Sequence, residues 1–526
     1  MAKKKPILRI ENLRRLFQIA FFLLFLWLFL STVGKFDLTI NATTVKSSIP
    51  VDIFFRTDPL LFLSTSIALR QVITSMLWFV IPIVLLTVLA GRFFCGWICP
   101  MGTLLDACDT LFWRKRDNKK QTSKLSGIKY FILAAIIGAS AFAAQTAYLF
   151  DPFAILYRAF TFTFYPIMQL GKEIPFVGKW MTTAMPGSLQ NFFSLNMAAF
   201  IILITIILLG SIVRRFWCRN LCPLGALLGL LSRFGIVRRK VKQTCTNCSK
   251  CMPYCKMNAI EADPKTYKAT ECIYCYSCVH VCPTLVTSIV SSLKSEGYNP
   301  EINLTRRRVI AGIGLGAVFA LIGKTNIAAK TSRNGHTKTS SSFLIRPPGA
   351  VAEDEFVDKC LRCSECMKVC PTGGLQPAIT EAGIEGLWTP VLVPRIGECT
   401  QNCNSCAKVC PSEAIEKFDI PEKSHIYLGT AVIDRSQCIV WNAEKRCMVC
   451  DEYCSYDAVY GKTVDGVIRP FVNTNKCVGC GICESACPIQ PKAAIRVHSF
   501  GDKRHVSREE QKEYFNQSKH KENEIE

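Results

Sequence analysis

The 526-residue chain contains no Cys-x-x-Cys-His, so it carries no covalent c-type haem of its own. It also lacks a phosphate-binding loop, a flavin fingerprint and a hydrolytic constellation. Gly312-x-Gly314-x-Gly316 is not a dinucleotide fingerprint, because no strand precedes it. Acidic residues are scarce: 40 Asp and Glu face 63 Lys and Arg, for a net charge of +23. The basic residues cluster at the ends of apolar stretches. That is the positive-inside pattern of a membrane protein and argues against nucleic-acid binding.

Apolar runs and cysteine are abundant. Half of the chain is hydrophobic and 29 residues are cysteine. Six runs of the kind Cys-x2-Cys-x2-Cys-x3-Cys, four cysteines each, account for 24 of the 29. Near-neighbour spacing of this kind favours metal over disulfides. In the bacterial ferredoxin run, three cysteines hold one [4Fe–4S] cluster and the fourth ligates its neighbour. That rule pairs Cys245, Cys248 and Cys251 with Cys282, and Cys272, Cys275 and Cys278 with Cys255. It likewise pairs Cys360, Cys363 and Cys366 with Cys410, and Cys399, Cys403 and Cys406 with Cys370. The last two sets are Cys438, Cys447 and Cys450 with Cys487, and Cys477, Cys480 and Cys483 with Cys454. Six [4Fe–4S] clusters are therefore expected. A structural zinc module also uses Cys-x2-Cys pairs, but the repeated three-plus-one pattern opposes it. Such small modules should owe their stability largely to metal ligation.

The other five cysteines are Cys95, Cys99, Cys108, Cys218 and Cys222. Arg92-Phe-Phe-Cys95-Gly-Trp-Ile-Cys99-Pro100-Met-Gly102 repeats as Arg215-Phe-Trp-Cys218-Arg-Asn-Leu-Cys222-Pro223-Leu-Gly225. If the segment is helical, a spacing of four puts both thiols of each motif on one face. Each pair could cycle as a dithiol, or the two pairs could converge as four thiolate ligands. Cys108 belongs to no motif and reads as a packing residue.

The expected fold is mixed: a polytopic α-helical membrane domain of four spans plus a signal or anchor helix, with ferredoxin-like α+β [4Fe–4S] domains. A bilayer core needs about 20 apolar residues. Leu16–Val33, Ile67–Ala90, Ile128–Phe150 and Phe192–Val213 read as the spans. Basic stretches at the N-terminus, at 114–129 and at 214–242 are expected inside; the loops 35–66 and 151–190, sparsely charged, outside. Arg70 and Asp151, at outer ends of these spans, read first as snorkelling or structurally paired residues, and otherwise as candidates to face a quinol headgroup, with Asp151 as a proton acceptor. Arg306-Arg307-Arg308 before the Gly-rich apolar run Val309–Gly323 resembles a twin-arginine export signal. A fifth membrane helix is the other reading of that run, and Asn326–Ala329 offers small residues suited to cleavage.

The domains expected are 1–240, the membrane domain; 241–290, a cytoplasmic two-cluster domain; 291–350, a linker with the signal or anchor segment; 351–500, a four-cluster domain outside; and 501–526, a charged tail. The first 300 residues resemble the NapH-type membrane ferredoxin, and the remainder resembles the NapG-type periplasmic four-cluster protein, here fused. That resemblance implies a bacterial inner-membrane component of a quinol dehydrogenase. It would oxidise menaquinol with the help of Cys95, Cys99, Cys218 and Cys222, and pass electrons to a periplasmic c-type cytochrome or reductase, the nitrate reductase system first among them. The alternative is a metal-reducing ferredoxin, or one that matures an oxidase or nitrous-oxide reductase. Lys256 in place of proline after Cys255, Ser455 after Cys454 and the long Cys438–Cys447 gap depart from the regular pattern.

Overall fold

The computed structural model describes residues 5–31, 52–113, 124–170, 193, 196–291, 298–299, 305–324, 343–379, 381–443 and 445–499. Most of the basic stretch at 114–129, the small residues at 326–329 and the charged tail lie outside them. The chain divides into two units. The first comprises Met1–Leu30, Ile53–Phe160 and Met197–Leu321; the second comprises Ser31–Asp52, Thr161–Asn196 and Ile322–Glu526.

Helices dominate the first unit, and one of them, over Ile10–Leu30, is long and apolar enough to cross a membrane. The other expected spans are shorter helices among the described residues: Thr74–Ala90, Ile128–Ala141 and Asn196–Leu209. The expected span Ile67–Ala90 breaks where Arg70 turns left-handed and ends the helix Pro59–Leu69. That after Ile128 ends at Ala141, before the left-handed Ala143. Two helices show the same outward row: Leu16, Ile19, Leu23 and Trp27 on the first, and Trp78, Ile81, Leu85 and Leu89 on the second, are all exposed. Steps of three, four and four residues keep each row on one helical face.

The inward core of this unit is aromatic. Phe25 meets Phe54, Tyr157 and Phe160 edge-on, and Phe29 does the same with Tyr157 and Phe160. The helix Arg306–Lys324 packs against Ile128–Ala141 without side chains between the backbones. A Cβ on Gly316 would run into the Ala135 carbonyl, and one on Gly138 into that of Ile313. Small residues four apart allow such a close crossing.

Three antiparallel pairings close the cysteine-rich segments, each joining the chain entering a segment to the chain leaving it. Val237–Val241 pairs with Thr287–Ser291 around 245–282. A bridge between Ala350 and Ile415 encloses 360–410. Thr430–Ile433 pairs with Ile495–His498 around 438–487. The segment 343–350, expected as linker, is already part of the second unit's fold: Ile345 bridges Leu392. Arg346 is buried against Glu353, with Nη1 2.8 Å from both Thr389 Oγ1 and the Pro390 carbonyl.

Candidate iron–sulfur and thiol sites

The four regular runs share one backbone device. The residues on either side of the second cysteine are left-handed: Asn247 and Ser249, Tyr274 and Tyr276, Arg362 and Ser364, Gly479 and Gly481. Outside glycine this conformation costs roughly 1–2 kcal/mol per residue, so something in each loop must compensate. The turn curls the chain around the second cysteine, and the later left-handed residue caps a short helix bearing the third cysteine, as at Tyr276, Ser364 and Gly481. In the two runs with added residues, Asn404 and Met448 cap the corresponding helices with φ of −131° and −130°. The longer loops reach the same helix start without left-handed residues.

In three runs the fourth cysteine receives a backbone hydrogen bond. Ala259 N–H donates to Cys255 Sγ at 3.2 Å, Ile415 to Cys410 at 3.4 Å and Ala458 to Cys454 at 3.3 Å. Such N–H···S bonds are among the terms that set cluster potentials.

The thiols that the crosswise rule groups are electrostatic neighbours. Burial first, then Cys363, Cys360 and Cys410, push the Cys366 thiol well above its ordinary value. Burial and then Cys403, Cys399 and, after Lys423, Cys370 act on Cys406. Burial with Cys438, Cys447 and Cys487 pushes Cys450 up to about 12. Around Cys483 the neighbours are Cys480 and Cys477, then Cys450 of the other set and Cys454. Buried thiols that hinder one another's ionisation suit a positively charged inorganic core, which binds them as thiolates. The set around Cys450 also lines a pocket whose wall is Cys438, Cys447, Cys450 and Cys487 with apolar residues such as Ile439 and Pro470. The donor chemistry fits a [4Fe–4S] cluster. Among the described residues, no three His, Cys, Asp or Glu side chains are grouped to hold a single metal ion.

The repeated Cys-x3-Cys-Pro motifs are not single helical faces. Cys95 lies in the helix Phe93–Trp97, whereas Cys99 is the N-cap of Pro100–Phe112. Cys218 and Cys222 divide in the same way between Phe216–Asn220 and Pro223–Leu231. Proline clashes with a helical residue before it, so Cys99 and Cys222 are extended, with ψ of 118° and 109°. A bend therefore separates the thiols of each pair.

The two motifs instead interlock with each other. Arg215, which opens the second, donates from Nη2 to the Gly102 carbonyl at 3.1 Å and from Nη1 to the Cys95 carbonyl at 3.3 Å, both in the first. Arg92, which opens the first, lies against Gly225 in the second. Each arginine is held by a carboxylate. Arg215 Nη2 stands 2.8 Å from Asp106 Oδ2, which also receives Arg14, Gln18 and Lys256. Arg92 Nη1 stands 3.1 Å from Glu271 Oε2, which Lys129 also contacts, while Tyr130 donates to Oε1.

These anchors seat the motifs against the cysteine loop that begins at Cys272. Cys95 and Cys218 pack against the buried trio Met257, Ile273 and Cys275. Trp97 Nε1 donates to the Tyr274 carbonyl at 3.2 Å, and a Cβ on Gly96 would strike the Ile273 carbonyl. Asp106 and Glu271 escaped the sequence reading, since nothing in their local pattern marks them, and Arg14 and Lys129 entered it only as members of basic stretches. The one available signal was Lys256, whose departure from proline is now explained by its ion pair. Cys108 is half-buried and belongs to neither motif. Asp151 is fully buried and caps the helix Pro152–Ala159, accepting from Ala154 N–H at 2.7 Å. Arg70 is exposed.

Comparison with known proteins gives this arrangement a family. Two models, both described as 4Fe-4S binding domain, match residues 72–119 and 195–242, and residues 469–489. The methylamine utilization ferredoxin-type protein MauM of Methylorubrum extorquens is 36% identical over 206 residues, 38% of this chain and 90% of its own length. The chain belongs to the NapH/NapG-type family of ferredoxin-type iron–sulfur proteins. The ferredoxin-type protein NapH of Haemophilus influenzae is 26% identical over 298 residues, 54% of this chain and 90% of its own length. The putative electron transport protein YccM of Escherichia coli is 28% identical over 252 residues, 46% of this chain; the match spans 63% of YccM. No solved structure matches. As a NapH/NapG-type protein the chain carries 4Fe-4S domains and serves electron transfer.

Proposed function

We propose that this NapH/NapG-type protein is the quinol-oxidising, membrane-bound part of an electron-transfer chain, holding six [4Fe–4S] clusters in the cysteine sets given above. The observation that carries the reading is the packing of Cys95 and Cys218 against the buried trio Met257, Ile273 and Cys275. It sets both repeated motifs beside the loop of the adjacent cysteine set, so that electrons leaving a substrate at the motifs would have a nearby acceptor. Arg92 and Arg215 hold the motifs together and keep positive charge beside the thiols. The clusters, when bound, accept and release one electron at a time; the chain supplies spacing, burial and hydrogen bonds.

Menaquinol is the substrate class in this reading, and the acceptor is a periplasmic c-type cytochrome or reductase. The outward rows of apolar side chains on the first helix and on Thr74–Ala90 favour a lipid surround. The four apolar segments would then act together as spans, the shorter ones completed by flanking residues. Arg306–Lys324 would serve as a retained fifth helix, because its glycine face is packed against Ile128–Ala141. In this topology the 245–282 domain is cytoplasmic and the 360–487 array periplasmic.

The test is anaerobic purification of the full chain from membranes, with iron and acid-labile sulfide analysis, followed by addition of a menaquinol analogue and a c-type cytochrome. Cytochrome reduction that depends on both quinol and protein is expected. A cluster-loaded protein that reduces no cytochrome but reduces copper would favour the maturation reading instead.

A further inference from the structure

Arg239 is a buried arginine that the function above does not use. It lies on the strand Val237–Val241, where pairing with Ile289 and a hydrogen bond from its N–H to Tyr267 Oη at 3.0 Å fix its backbone. Its guanidinium is anchored by donation from Nη2 to the Pro264 carbonyl at 2.9 Å. The same Nη2 is 3.8 Å from Cys251 Sγ, and the guanidinium's positive charge also favours the ionised form of the Cys278 thiol, against its burial. Cys251 belongs to one cysteine set of the 245–282 domain and Cys278 to the other. A single cation, only 2% exposed, thus lies against one set and acts electrostatically on the other.

We propose that Arg239 is an electrostatic bridge that raises the reduction potential of both clusters in this domain and keeps the two matched; this rests on the ligand sets assigned above. The physics is direct. Guanidinium is permanently charged, so its field acts on the second set as well as on the sulfur that it touches. Reduction adds one negative charge to a thiolate-ligated cluster. A fixed positive charge at hydrogen-bonding distance, in a site shielded from water, stabilises the reduced form more than the oxidised one. Because the same charge faces both sets, neither potential can be tuned without the other.

The experiment is a potentiometric titration of the anaerobically purified full chain, followed by electron paramagnetic resonance. Cys248→Ser and Cys275→Ser identify the signals of the two sets. Arg239→Gln is expected to lower both midpoints, each by at least a tenfold change in the reduced-to-oxidised ratio, about 59 mV for one electron. The clusters ligated by 360–487 should keep their midpoints. Arg239→Lys keeps a charge at one point only, and is expected to lower the two midpoints unequally. It also provides the test should the glutamine variant lose its clusters. Unchanged midpoints in both variants, or a shift confined to one cluster in Arg239→Gln, would overturn the bridge. A wild-type protein without iron or signal would sink the ligand assignment itself, a distinguishable failure.

Discussion

Lys256 Nζ lies 2.9 Å from Asp106 Oδ2, reaching it from the position where proline follows Cys282, Cys370, Cys410 and Cys487. The irregular residue after Cys255 is thus a tether. It links the end of the first cysteine run to the helix that Cys99 caps, and Arg14 and Arg215 share the same carboxylate.

Asp106→Asn should be the most damaging change at this junction. It leaves Arg14 and Arg215, each with a side chain 1% exposed, facing a neutral amide. Removing one partner of a buried pair costs on the order of 3–5 kcal/mol. Lys256→Met removes a partner that is about a quarter exposed and leaves both arginines paired, so a loss near 1 kcal/mol is expected. Thermal unfolding of the detergent-solubilised chain ranks the two, and an equal loss for both would contradict the arrangement.

The glycine face of Arg306–Lys324 separates two neighbouring glycines. Gly316→Leu must push the backbone away from Ala135, whereas nothing lies within 4 Å of a Cβ at Gly314. Overpacking of this kind costs roughly 1–3 kcal/mol. Gly316→Leu should expose the segment after residue 291 to protease in membrane vesicles, while Gly314→Leu behaves as wild type. Immunoblots of the untreated chain should show one polypeptide near 58.8 kDa.

Left-handed positions beside the cysteines make a sign prediction. Ser364→Gly relieves a strained residue and should slow the loss of iron to a chelator, while Ser364→Val should hasten it. Gly481 is left-handed as well, and a Cβ there would come 2.5 Å from Pro394 Cβ. Gly481→Ala is therefore expected to weaken iron retention by roughly 1 kcal/mol or more. Iron release followed by absorbance decides among them.

Cys95→Ser and Cys218→Ser should each reduce quinol-dependent cytochrome reduction at least tenfold, with iron content unchanged. Cys108→Ser should leave both untouched. Loss of iron in the first two variants, without a specific loss of rate, would make these thiols structural.

Iron removal should affect the molecule unevenly. The segments 237–291 and 343–499 are joined by short pairings and small cores, so chelation should unfold them as other small metal-dependent domains unfold. The aromatic core around Phe25, Phe29 and Tyr157 has no cysteine ligands. Far-ultraviolet circular dichroism should therefore retain most of its helical signal after chelation, while near-ultraviolet bands of the cysteine-rich segments collapse.

The cysteine runs were legible from spacing because their geometry is local. Two or three residues between thiols leave the chain few ways to turn, and the left-handed pairs at Asn247 and Ser249 or Arg362 and Ser364 are the outcome. The repeat of Arg92–Gly102 in Arg215–Gly225 was equally visible. Its meaning was not, since a spacing of four looked like one helical face until Pro100 and Pro223 imposed a bend. Hydropathy overstated helix length for a related reason: a window of apolar residues does not register the left-handed turn at Arg70 or at Ala143.

By itself the sequence determined the cofactor class, the number of cysteine runs and the duplication of the thiol motif, all properties of residues a few positions apart. Tertiary structure alone decided that Asp106 gathers Arg14, Arg215 and Lys256 across 92, 109 and 150 positions. It also decided that the two arginines cross between repeats and that Arg239 lies against Cys251 Sγ. A buried charge takes whatever partner the packed chain brings within about 4 Å, and that meeting depends on how distant helices and strands fold together, which local spacing does not encode.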